Sequence, residues 1–76
     1  MTLADAALGR RLRIEDVSLE REAKDWLDAV GLHHGEELVV LRRAVFGGPL
    51  HVRTSSGGEF AIAHELATKI SIAVAE

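Results

Sequence analysis

The spacing of apolar and polar positions changes twice along the chain, and those changes mark its elements. From Arg11 to Val17, Leu12 and Ile14 alternate with Arg11, Arg13 and Glu15, the two-residue repeat of a half-buried strand. The repeat then lengthens. Ala23, Trp26, Leu27 and Val30 fall at i, i+3, i+4 and i+7, one apolar stripe along a helix. Ser18 is the expected N-cap, with Glu20 and Glu22 close to the positive helix end. Gly31 is the expected stop, held at positive φ, with Leu32 folding back onto the last turn. A helix is thus expected near 19–30, with Trp26 in the core.

Past this helix the short period returns. His33-His34-Gly35 reads as a tight turn. The strand Glu36–Arg43 that follows has apolar residues on both faces, Leu38 and Val40 against Val39 and Leu41, which points to a central position under the helix. Ala44 to Pro49 forms a wide corner. Leu50, Val52 and Thr54 alternate with His51 and Arg53, and Ser55-Ser56-Gly57-Gly58 is a hairpin turn. Phe60 and Ile62 open a fourth strand, and His64 is the expected cap of one helical turn reaching Lys69. Ile70, Ile72 and Val74 alternate in a fifth strand. Ahead of all this, Thr2 and Asp5 have the form of a short helix start, placing Leu3 and Leu8 as a plug over an open core end. The expected architecture is mainly β, a single domain over 1–76: a small five-stranded SH3-like barrel with one inserted helix. Leu12, Ile14, Leu27, Leu38, Val40, Val52, Ile62 and Ile72 form its expected core.

Composition narrows the function classes. No apolar run approaches the roughly 20 residues of a membrane span, and the first residues lack the basic start and apolar core of a signal peptide. A cytoplasmic protein without direct membrane insertion is expected. There is no cysteine to form a disulfide or a thiolate metal site. Acids outnumber Lys and Arg by 12 to 9 and interleave them, and one Trp and two Phe are the only aromatics. That gives neither the coherent basic face nor the stacking platforms of a nucleic-acid binder. No phosphate-binding glycine loop, nucleophile elbow or HExxH helix is present. Ser55 and Ser56 read as turn residues, and Glu36 and Glu37 as solvated strand positions. An enzyme is not expected.

Two kinds of candidate site remain. His33, His34 and His51 could supply imidazoles to a divalent ion such as Fe(II) or Zn(II), although adjacent side chains diverge and a structural site usually takes four ligands. Loops on a rigid scaffold commonly carry binding, and two stand out: Leu32-His33-His34 at the helix–turn junction and Phe46-Gly47-Gly48-Pro49 at the corner. Phe46 either folds back to close the barrel end or stands out as an anchor in a partner's pocket.

The order of these features resembles the FeoA family, small cytosolic proteins of bacterial ferrous iron uptake. Leu3, Asp5 and Gly9 match its leader, and Leu27, Gly31, Leu32 and Gly35 its helix end and turn. Arg42 or Arg43, Gly47, Pro49 and Leu50 match its corner, and Ala67, Ile70 and Ile72 its tail. The chain departs from the family pattern at His34, where Pro is frequent, and in the corner residues Val45 to Pro49. The resemblance implies an accessory of Fe(II) import without a resident cofactor, whose partner is the GTPase-bearing cytosolic region of the FeoB membrane transporter. A divalent-metal-binding module, and a generic adaptor or homo-oligomerisation domain, stand as alternatives.

Overall fold

Five strands pair into one antiparallel sheet in the order β4-β3-β2-β1-β5, in a computed structural model that describes residues 1–75. They are β1 (Leu12–Val17), β2 (Glu37–Arg43), β3 (Leu50–Thr54), β4 (Glu59–Ile62) and β5 (Ile70–Val74). Helix α1 (Arg21–Ala29) joins β1 to β2, the single turn α2 (His64–Ala67) joins β4 to β5, and a 3₁₀ turn, Leu3–Asp5, precedes β1. β2 is the middle strand, as its two apolar faces imply. The mainly β, five-stranded architecture is as expected, but the sheet is not closed into a barrel: among the described residues no ladder joins β4 to β5.

Two bulges bend the sheet and account for where the alternation breaks. In β1, Ile14 pairs with Ile72 but Asp16 with Ser71, so Glu15 is an extra residue. Strict alternation would turn Asp16 inward, whereas the bulge puts Asp16 outside and buries Val17. In β2 the extra residue is Leu41, between the pairs Val40–Val52 and Arg42–His51. That shift sets Arg42 on the outer face beside His51, and Arg43 opposite buried Leu50 at the rim. There the Arg43 guanidinium donates to the Ala6 carbonyl.

All eight expected core residues are buried, joined by Leu3, Leu32, Leu50 and Ile70. The leader contributes through Leu3, Ala4 and Ala6, while Leu8 is exposed, so the plug is Leu3 alone. It is tied down by a Thr2–Ser71 bridge and by the Ile72 amide donating to the Met1 carbonyl at 2.9 Å.

Helix α1 differs from its sequence reading in two ways. It starts at Arg21 with Glu20 at the cap position, because the Ser18 amide donates to the Lys69 carbonyl at 2.8 Å and continues the strand instead. Only Leu27 is fully buried, and Trp26 is 52 % exposed. A nine-residue helix at one end of the sheet inserts one side chain rather than laying down a whole stripe. The helix end is as expected: Gly31 has φ +93, and the Leu32 amide donates to the Leu27 carbonyl at 2.8 Å. His64 is the first residue of α2, with Ala63 in the cap position.

Candidate binding loops

The turn after α1 is fixed by backbone bonds to β1. The Gly35 amide donates to the Ile14 carbonyl at 2.8 Å, and the Ile14 amide to the Glu36 carbonyl at 2.9 Å. This leaves His33 and His34 exposed, His33 Nδ1 lying 3.1 Å from the His34 carbonyl. Leu32 does not belong with them. Its side chain is fully buried, since the chain folds back over the helix end, so it is a core residue and not part of a binding surface.

Beside this turn lies a cluster that the sequence reading did not assemble. Ser55 Oγ donates to Glu36 Oε1 at 2.5 Å, Ser56 Oγ to Glu36 Oε2 at 3.4 Å, and the Glu37 amide to Glu36 Oε1 at 3.0 Å. Glu36 therefore pins the β3–β4 hairpin to the turn, and neither it nor the two serines is merely a solvated position. The Ser55 hydroxyl, with smaller help from the Glu37 amide, His33 and Ser56, holds the Glu36 carboxyl below its ordinary range against a partial desolvation cost.

At the other end of β2 the corner closes on itself. The Ala44 amide donates to the Pro49 carbonyl at 3.0 Å and the Gly48 amide to the Val45 carbonyl at 3.2 Å. Phe46 and Gly47 take the two central positions with φ +58 and +71, the left-handed pair of a type I′ turn. Phe46 is consequently thrown outward and fully exposed (102 %), with Val45 at 75 %. It does not close the end of the core. Gly48 is half-buried, and a Cβ there would stand 2.6 Å from that of Ala44. Gly47 and Pro49 are exposed. An open cleft of about 250 Å³ lies at the base of the corner, lined by Arg42, Arg43, Pro49, Leu50, His51 and Ala61 among others.

The residues grouped from sequence thus divide between two ends of the sheet, separated by the length of β2, roughly 20 Å at ~3.3 Å per residue. His51 lies at the corner end, its Nε2 2.9 Å from Glu59 Oε1, and is not gathered with His33 and His34. Among the described residues no three His, Asp or Glu side chains are grouped to hold a metal ion.

Comparison with known proteins agrees with this architecture. The FeoA domain family model matches residues 1–74. The FeoA protein of Chlorobium tepidum superposes with a TM-score of 0.89 at 26 % identity, covering 100 % of this chain and 71 % of that one. The FeoA of Stenotrophomonas maltophilia, described as an SH3 domain protein and complexed with zinc, gives 0.79 at 25 %, with 96 % and 89 % covered. A manganese-dependent transcriptional repressor shares the fold at 0.87 and 20 % identity, this chain covering 36 % of it. No curated protein matches the chain. Matched from its leader through β5, and sharing the SH3-like fold of those relatives, the chain belongs to the FeoA family, whose members are associated with ferrous iron transport.

Proposed function

We propose that this protein is a cytoplasmic accessory of ferrous iron uptake that works by binding the GTPase-bearing region of a FeoB-type membrane transporter. The observation that carries this reading is the family match over residues 1–74. The S. maltophilia relative is described as possibly acting as a bacterial ferrous iron transport activating factor. No helix among the described residues is long and apolar enough to cross a membrane, so a transport role goes through a partner that does. The two loops suit binding rather than catalysis. Their backbones are locked by hydrogen bonds, while His33, His34, Val45 and Phe46 present side chains that the fold does not bury. A backbone that is already fixed loses little further conformational entropy on association.

The test pairs the purified chain with the soluble GTPase region of the transporter encoded in the same genome. Binding is expected, and removal of the chain from cells is expected to lower Fe(II) uptake. His33→Ala with His34→Ala, and Phe46→Ser, should fold normally and report which loop makes the contact. Absence of binding by the parent chain, together with unchanged uptake in cells lacking it, would overturn the proposal.

A further inference from the structure

We propose that the β2–β3 corner docks on an anionic lipid surface, Val45 and Phe46 entering the headgroup layer while Arg42 meets lipid phosphates, beside an Arg43 whose guanidinium is held by the Ala6 carbonyl. The inference does not depend on the transporter and would stand without it. Its first support is the shape of the corner. Both central turn residues take positive φ, and the two apolar side chains at the tip touch solvent instead of the core. Phe is a costly choice at such a position, and the core does not use the ring.

The second support is the distribution of charge. Leu38 to Gly58 contains Arg42, Arg43 and Arg53 and no Asp or Glu, in a chain with 12 acids and a net charge of −3. Most of the acids lie elsewhere, although Glu59, just past this stretch, is paired with His51 at 2.9 Å and Glu65 sits in α2. β1 runs antiparallel to β2, so its last residues and α1, with Glu15, Asp16, Glu20, Glu22, Asp25 and Asp28, stand at the opposite end of the sheet from the corner. Asp5, in the leader near the corner end, accepts from Thr2 Oγ1 at 3.2 Å. A molecule polarised in this way presents its corner to an anionic surface and holds its acidic end away from it.

The third support is layering. Arg42 is exposed, and with Arg43 and His51 it lines the open cleft behind the tip. The apolar tip stands a few residues beyond these guanidiniums, on the order of 5–10 Å, the depth to which interfacial apolar groups sink. Cation behind and apolar tip in front is the order in which a bilayer offers phosphate and acyl chain. A nucleic acid offers phosphates but no layer for Val45. The contact is peripheral, and no element has to cross.

The test is flotation of the full chain with phosphatidylcholine vesicles, with and without phosphatidylglycerol, at low and high salt. Binding is expected only with phosphatidylglycerol and should weaken as salt rises. Phe46→Ser and Arg42→Glu should each lower the bound fraction several-fold with unchanged circular dichroism. As a site-specific reporter, Trp26→Phe combined with Phe46→Trp should shift its emission to the blue on anionic vesicles, whereas the parent, with its one Trp on α1, should not. Parent chain left unbound at low salt, or bound as well after Phe46→Ser, would overturn the proposal. So would full displacement by inorganic phosphate without dependence on Phe46, which would mean a simple phosphate site, or tighter binding to DNA than to vesicles.

Discussion

Phe46 holds φ +58, a conformation that costs an L side chain about 1–2 kcal/mol and that Asn tolerates far better. Since the ring is fully exposed, no packing offsets that cost. Phe46→Asn should therefore raise the unfolding free energy by up to about 1 kcal/mol, read as a higher midpoint in urea. Glu36 gives a second prediction at this scale. Its carboxyl is held below the ordinary glutamate pKa of about 4.3, chiefly by the Ser55 hydroxyl. A depressed folded pKa means the contribution is complete above the unfolded value and disappears as pH falls through the folded one. Between those two values Glu36→Gln should lose less stability on acidification than the parent, and Ser55→Ala should move the parent toward the same behaviour. Acid-range denaturation series of the three proteins measure this. The two residues differ in what the sequence disclosed. The corner around Phe46 was readable from Gly47, Gly48 and Pro49, although the direction of the ring required the turn's hydrogen bonds. The partners of Glu36 lie 19 and 20 positions further on, and no local pattern links them.

Among the elements, α1 separates what its periodicity implied from what the core accepts. The stripe Ala23, Trp26, Leu27 and Val30 gave the helix itself and its glycine stop, but only Leu27 reaches the interior completely. Leu27→Ala should cost about 2–5 kcal/mol, as cavity-forming core truncations do, whereas Trp26→Ala should stay within about 1 kcal/mol of the parent. Thermal unfolding of the two variants distinguishes a helix held by one side chain from a helix held by its stripe, which would show comparable losses. The strands were more legible because two-residue alternation maps directly onto sheet faces. The bulges were not. An inserted Glu15 or Leu41 leaves only a broken alternation, which in sequence looks the same as the end of a strand.

At the scale of the whole molecule, strand order departs from chain order at one place. β1 lies between β2 and β5, and its ladder with β5 begins with Leu12 opposite Val74, across most of the described chain. The β2–β3 ladder, by contrast, closes over the short corner, with Val40 opposite Val52. Loop-closure entropy makes the local ladder the early one and the distant ladder the late one. Val52→Ala should therefore slow refolding, whereas Ile72→Val should act mainly by speeding unfolding. Stopped-flow kinetics in denaturant would show this, and the opposite partition would rule the order out. Until β5 arrives, β1 has an unpaired edge and uncovered Leu12, Ile14 and Val17, a template for pairing with another chain. The exposure of this edge thus belongs to the half-made sheet, and it ends when Ile70 and Ile72 dock and the leader's Met1 and Thr2 close over the β5 edge.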